Sequence, residues 1–407
     1  MAPRRILVIE FPRPSTRTVR FMKSFRELGV EVAYLDHPMS PQHPELADCR
    51  RVIVPKASIL DRLRARVNVY PRHQPPVPHI ERKGRGLPST KRWWYRATAA
   101  IAKERPDLYW VADLDALPVA TWARAARARA CQAVPIVFDM HELWADQGGL
   151  PEEQVPTWRE ISRRFIPTVD RLVTVSQEFI DEVRREHPRV RTELILSLAP
   201  DVEHLTTEGA HAALGIPPDA PIAVHVGATV ENRNPYLGIR ALQHLPRHHL
   251  VFDGTADEQV LLRLRELATS LGVERRVHVT NTTPRARLEA LLSDCQANLV
   301  LYGPSTSTKN QMLVLPNKVF DGLAAGLPTV AAEGTATGAY LTREGLGTTF
   351  VADDPASLAA AIERSQSAEL LAAVKARRSE FHWSSNQQKI AELLESLLPD
   401  NPTIDRT

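Results

Sequence analysis

Short apolar runs alternate with amphipathic helical stretches along this chain, and they do so in two separate series. The first opens with "RRILVIEFPRP", a strand and its loop. "TVRFMKSFRELGVEVAYL" then reads as an amphipathic helix, a stop at Gly29 and a second strand. The pattern returns in "PDLYWVADLDALPVATWARAARA", "VPIVFDMHELW" and "VDRLVTVSQEFIDEVRREH". Around Leu198 to Pro218 the chain turns irregular, as an interdomain connection does. A second series follows in "PIAVHVGA", "HHLVFDGTADEQVLLRLRELATSLG", "RRVHVTNTTPRARLEALLSDC", "ANLVLYGP" and "LPNKVFDGLAAGLPTVAAE". Strands alternating with helices predict a parallel sheet covered on both faces. The expected architecture is α/β, with two doubly wound, Rossmann-like lobes, a central cleft, and a C-terminal helix packing back on the N-terminal lobe. The boundaries fall at 1–199, 200–380 and 381–407. In such sheets, ligands bind outside the carboxyl ends of the strands, so every strand-to-helix loop is a candidate site.

Composition narrows the functions available. At 407 residues, 43% hydrophobic and 24% charged, the chain has the make-up of an ordinary globular protein and exceeds the usual size of one core. The formal net charge of +3 gives no global attraction to nucleic acid. Cys49, Cys131 and Cys295 are too scattered for a disulfide framework or a metal cluster, which fits a reducing cytoplasm. No segment approaches the roughly 20 apolar residues that a membrane span needs, and the opening residues do not form an export signal. One segment breaks the rhythm: Pro71 to Arg105 is rich in proline and basic residues, with Trp93, Trp94 and Tyr95 beside Lys91, Arg92 and Arg96. It reads either as a loop leading into a helix whose aromatics pack inward, or, over residues 82–96, as a patch for peripheral contact with an anionic membrane surface.

"LPNKVFDGLAAGLPTVAAE" places unusual polarity at the front of an apolar helix. A helix N-terminus offers unpaired N–H groups and a partial positive charge, which together favour a phosphate. The segment before Val319 is a candidate diphosphate cradle to which Asn317 belongs and Lys318 adds a point charge. The plainer alternative is that Asn317 caps the helix while Lys318 pairs with Asp321.

Taken in order, "PDLYWVADLDALPVA", "PIVFDMHELWAD" and "LPNKVFDGLAAGLPTVAAE" resemble the family 4 glycosyltransferases of the GT-B fold, and the resemblance covers most of the chain. It implies retaining transfer of a sugar from a nucleoside diphosphate donor, UDP- or GDP-linked, held mainly by the C-terminal lobe. The acceptor hydroxyl would be held by the N-terminal lobe, in envelope polysaccharide, glycolipid or natural-product biosynthesis. Asp321 matches the acidic residue that holds the ribose hydroxyls. The family's other acidic residue falls on Leu313, and "STSTKNQMLVLPNK" is a loop in its place whose polar side chains could meet the sugar. Gly227 ends a strand where backbone approaches ligand. Arg233 aligns with a phosphate-contacting basic residue, while Ala228 stands where relatives carry arginine. Gly254, after Asp253, matches a nucleotide loop, and Thr280 to Thr283 falls where relatives contact the base. His141, in "DMHELW", matches a histidine near the reaction centre, and Ser15, Thr16 and Arg17 are candidate acceptor contacts. Asp113-Leu-Asp115 spells a metal-binding Asp-x-Asp, yet here it aligns with an N-lobe loop. The expectation is therefore no metal and no cofactor, with helix dipole and basic side chains in the cation's place. No carboxylate pair suggests itself as nucleophile and acid/base, so the resemblance implies same-face attack, with a donor phosphate oxygen taking the proton. The rivals are a non-catalytic nucleotide-sugar-binding partner, motivated by Leu313 and Ala228, and a nucleotide-sugar epimerase.

Overall fold

In a computed structural model of the protein, the described residues are 4–11, 14–36, 43–55, 87–128, 134–201, 208–303, 305 and 307–398; the side chains of 87–92 are outside that description. The chain divides into two compact units, Met1–Ile195 with Asn386–Thr407, and Leu196–Ser385.

The first unit contains a parallel sheet of β1 (Arg5–Ile9), β2 (Glu31–Asp36), β3 (Arg50–Ile53), β4 (Leu108–Ala112), β5 (Ile136–Met140), β6 (Arg171–Thr174) and β7 (Thr192–Leu194). Their spatial order is β3-β2-β1-β4-β5-β6-β7. β1, β4 and β5 are almost uniformly apolar because helices cover both faces, and Ile6, Val8, Trp110, Val137 and Phe138 are fully buried. The helix Thr16–Glu27 starts where the Ser15 hydroxyl accepts from the Thr18 N–H, and the chain turns out of it through Gly29 at φ 76°. The helix Gln387–Leu397 buries Ile390, Leu393 and Leu394 in this same unit, and Gln387 donates to the Ser24 carbonyl at 3.2 Å.

The aromatic stretch is interior. Trp93 is 3% and Trp94 0% exposed. The Trp94 indole N–H donates to the Asp115 carbonyl, while Trp93 lies 4.7 Å from the Phe11 ring and Tyr95 stacks on Trp122 at 6.0 Å. The membrane-surface reading of 82–96 is corrected here for its two tryptophans, because burial in the core satisfies their large apolar area. Residues 82–86 lie outside the described residues. No helix among the described residues is long and apolar enough to cross a membrane.

The second unit contains β8 (Ile222–Val226), β9 (His249–Asp253), β10 (Val277–Thr280), β11 (Ala297–Val300), β12 (Thr329–Ala332) and β13 (Gly347–Phe350), in the order β10-β9-β8-β11-β12-β13. This is the doubly wound order of a dinucleotide-binding fold, and the direction of winding reverses between β8 and β11. Apolar clusters cover both faces: Leu237, Ile239, Phe252, Leu299 and Ile362 belong to one, and Val319, Phe320, Leu323 and Ala331 to another. The stretch read as irregular includes a short helix, Ala210–Leu214, and Ala210 and Ile216 join the core beside β8. "STSTKNQMLVLPNK" is likewise not all loop. Lys309–Leu313 is helical, and Thr308 and Gln311 exchange side-chain bonds with each other's backbone N–H in a capping box.

Candidate functional site

In the second unit, three sequence-selected residues converge where the sheet reverses. Gly227 follows β8 at φ 101°, a conformation that favours glycine. A Cβ placed there would lie 3.3 Å from Arg233 Nη1 and 3.7 Å from Lys318 Nζ. Two basic side chains thus reach one bare stretch of backbone. Arg233 donates to the Ala228 carbonyl at 3.2 Å, which turns the guanidinium back over the loop.

Lys318 stands in the first turn of the helix Asn317–Ala324, which begins after Pro316. Asn317 is the first helical residue, and the cap position belongs to Pro316, which makes no side-chain cap bond. Nor does Lys318 close onto Asp321: its ammonium is 3.1 Å from His225 Nε2, while Asp321 accepts from Arg285 at 2.6 Å. The plain capping alternative is therefore not the arrangement that forms. Val319 N–H bonds back to the Pro316 carbonyl at 3.0 Å, and the N–H groups ahead of it lie in the part of a helix that has no intrahelical partner. Burial, then the charge of Arg233, pulls the Lys318 ammonium well below the usual lysine range, while Asp321 acts the other way. Burial followed by Lys318 and Arg233 lowers the His225 imidazole in the same manner. The arrangement is short of negative charge, and an entering anion would supply it.

Gly254 lies against the same loop. Its Cβ, if it had one, would sit 2.3 Å from the Gly227 carbonyl oxygen, so only glycine lets the loops after β8 and β9 touch. Gly227 N–H donates to the Asp253 carbonyl at 2.7 Å. The Asp253 carboxylate in turn accepts from the Thr280 hydroxyl at 2.7 Å, the Thr283 hydroxyl at 2.6 Å and the Thr283 N–H at 3.2 Å. Thr280 is therefore engaged in bracing the β9 loop. Asn298 braces the other side, donating to the Lys318 carbonyl at 2.9 Å and to Thr329 Oγ1 at 3.0 Å.

The first unit gathers a second group of polar side chains at the ends of β1, β4 and β5. His141 Nε2 lies 3.2 Å from the Asp113 carboxylate, which also accepts from the Trp144 indole at 3.4 Å. Burial lowers the imidazole, but Asp113, Asp139 and Glu10 outweigh it and the net direction is upward. Glu10 is pushed up to about 7, chiefly by burial and then by Asp113. Asp115 is raised well above the usual carboxylate range by burial, Asp113 and Glu10. Glu10 can therefore accept or release a proton close to neutrality. Ser15 caps the first helix, and its N–H donates to Glu10 at 2.8 Å. Thr16, the first helical residue, is exposed. Arg17 is interior: its Nε is 3.1 Å from both Asp139 oxygens, and its Nη2 donates to Asp139 at 3.0 Å and to the Ile195 carbonyl at 2.9 Å. Its guanidinium ties the helix to the sheet. Sequence reasoning passed over Glu10, His225 and Arg285 as functional or bracing groups, and did not give Asp139 its bracing role. For Asp139 and His225 a signal was present: each is a titratable residue inside an otherwise apolar strand run.

Comparison with known proteins bears on both units. A family profile described as Glycosyl transferase 4-like domain matches residues 14–196, and one described as Glycosyl transferases group 1 matches residues 207–379. No curated protein matches. Among solved structures, the chain is similar to sucrose-phosphate synthase (tll1590) from Thermosynechococcus elongatus, with a TM-score of 0.70, 17% identity and coverage of 97% of this chain and 99% of that one. It is also similar to Anabaena Alr3699/HepE, solved in complex with UDP, at 0.67, 14%, 97% and 100%. A glycosyltransferase from Rickettsia africae ESF-5 matches at 0.67, 12%, 98% and 100%. At these identities the likeness establishes a shared fold.

Proposed function

Since this chain belongs to the GT-B glycosyltransferases built from a 4-like domain followed by a group 1 domain, we propose that it moves a sugar from a nucleoside diphosphate sugar to an acceptor hydroxyl with retention of configuration. The observation that carries the donor half is the convergence of Arg233 and Lys318 on Gly227 at the start of the helix Asn317–Ala324. Arginine grips a phosphate bidentately, a lysine adds a point charge, and a helix N-terminus donates N–H groups. Together they stabilise the negative charge that builds on a leaving diphosphate. These groups supply positive charge where a metal ion would otherwise do so, and transfer proceeds in the presence of a chelator. Asp321, fixed by Arg285, is the group for the ribose hydroxyls. With no protein nucleophile assigned, a donor phosphate oxygen takes the proton of an acceptor attacking from the same face. In the first unit, the Glu10, Asp113, Asp115 and His141 group meets the acceptor.

The test is a thermal-shift screen of UDP, GDP and their sugars in a chelating buffer, followed by donor hydrolysis. UDP and UDP-glucose head the set, being ligands in HepE crystal structures. A ligand at about a hundred times its Kd stabilises by about 2.7 kcal/mol, enough for a clear rise in Tm. Stabilisation that Arg233→Ala and Asp321→Ala both lose, with slow release of free sugar, is the expected result. Stabilisation without hydrolysis or transfer to any hydroxyl acceptor would favour a binding partner, as Leu313 and Ala228 suggest. No stabilisation by any of these ligands would refute the donor assignment.

A further inference from the structure

Lys318 has an unusual neighbour. Its Nζ lies against a histidine, and among the described residues it makes no ion pair with a carboxylate. His225 lies on β8 with its imidazole fully buried. Its Nδ1 is 3.0 Å from the Leu299 carbonyl oxygen, which can only accept, so Nδ1 carries the hydrogen. In the neutral ring protonated at Nδ1, Nε2 has a lone pair, and it is this atom that faces Lys318 at 3.1 Å; the ring also meets the Ala228 backbone. A charged ring would turn an N–H toward the lysine and lose the bond.

An imidazole acceptor differs from a carboxylate in one respect that matters here. A carboxylate would hold the lysine permanently as an ammonium and cancel its charge. A neutral acceptor bonds to –NH₃⁺ and, more weakly, to –NH₂, since both can donate, so the side chain keeps its aim whichever form it takes. The groups around it are Arg233 from the loop after β8, the Tyr302 ring at 5.9 Å after β11, and Asp321 one turn on, engaged by Arg285. Burial and Arg233 favour the amine in the empty site. A diphosphate at Gly227 would reverse that preference by bringing negative charge beside Nζ.

Resting on the donor assignment above, we propose that His225 is a positioning residue of the phosphate cradle, and that the Lys318–His225 pair takes up one proton when a diphosphate enters. The Lys318 amine gains a proton from solvent and becomes the ammonium; no covalent bond changes, and the proton returns when the nucleoside diphosphate leaves. His225 stays neutral throughout.

Calorimetric titration of UDP and of inorganic pyrophosphate, each at several pH values from about 7.5 to 8.5, tests this. In that range the UDP phosphates, with a second pKa near 6, are fully ionised, whereas inorganic pyrophosphate still holds a titratable proton and serves as a binding control only. Arginine stays charged, and burial holds the Tyr302 hydroxyl above its ordinary range. Two buffers of different ionisation enthalpy at each pH give the proton count. Wild type is expected to take up close to one proton per ligand over part of the range, where Kd rises about tenfold per pH unit. Lys318→Met should lose both the uptake and the slope. His225→Leu should bind at least tenfold more weakly at pH 8, whereas His225→Gln, which retains an acceptor, restores affinity and proton count. Binding without proton uptake, or a His225→Leu protein that binds like wild type, overturns the proposal and leaves the donor site standing. Failure of UDP, GDP and pyrophosphate alike to bind wild type removes the donor assignment, and the proposal with it.

Discussion

Replacing Arg17 with methionine is expected to cost the first unit most of its margin of stability. The guanidinium makes three contacts of 3.0–3.1 Å to Asp139 and one of 2.9 Å to the Ile195 carbonyl, with side-chain exposures of 4% for Arg17 and 0% for Asp139. Methionine fills similar volume but strands a carboxylate where no water reaches it. Breaking a buried pair from one side costs about 3–5 kcal/mol. At about 2–4 °C per kcal/mol for a unit of this size, the melting transition should fall by on the order of 10 °C. Differential scanning calorimetry of wild type, Arg17→Met, Asp139→Leu and the double variant measures it. The double variant should recover much of the loss, because an apolar pair of similar volume leaves no buried charge. An Arg17→Met protein that melts within about 1 °C of wild type yet needs more acceptor to reach half its maximal rate would refute this reasoning. It would return Arg17 to the acceptor role that sequence alone assigned it.

Two further outcomes follow from burial and close contact. Glu10 has its folded-state pKa raised from 4.5 to about 7, so between those values the unfolded chain gives up its proton first and stability falls as pH rises. The loss approaches about 3 kcal/mol above pH 7. Glu10→Gln, which mimics the protonated form, should flatten that slope in urea unfolding followed from about pH 5 to 8, and a slope equal to wild type would show Glu10 to be ionised throughout. Gly254→Ala sets a methyl group 2.3 Å from the Gly227 carbonyl oxygen and forces the two loops apart. A cost of about 1–3 kcal/mol is expected, with UDP affinity falling in parallel because Gly227 moves relative to Arg233 and Lys318. Gly215→Ala, at φ 63° with nothing within 4 Å, should lower Tm by less and leave UDP binding unchanged.

The alternation of strands and helices was legible where the punctuation is local, as in the first helix, which Ser15 caps and Gly29 follows before β2. The helix at Asn317 was legible for the same reason, since Pro316 fixes its first turn. What side chains do at these places was less so. Lys318 and Asp321 stand three positions apart and invite pairing, but each meets a closer partner, His225 or Arg285, that lies far away in sequence. Local spacing says nothing of such competition. Arg17 stood among the candidate acceptor contacts, but Asp139, from a strand that enters the sheet much later, draws it inward. The Trp93–Trp94 pair beside basic residues suits a membrane surface or a core equally well, and only the helix Leu117–Ala128 packed against it decides.

The return of residues 386–398 to the first unit has a consequence for synthesis. A ribosome releases β1 to β7 first, but the surface meant for Ile390, Leu393 and Leu394 stays uncovered until every residue of the second unit has emerged. The second unit is one unbroken stretch, Leu196–Ser385, and can close as soon as it is clear of the tunnel. The unit that starts first is therefore finished last, and a nascent chain interrupted inside the second unit exposes an apolar face on the first.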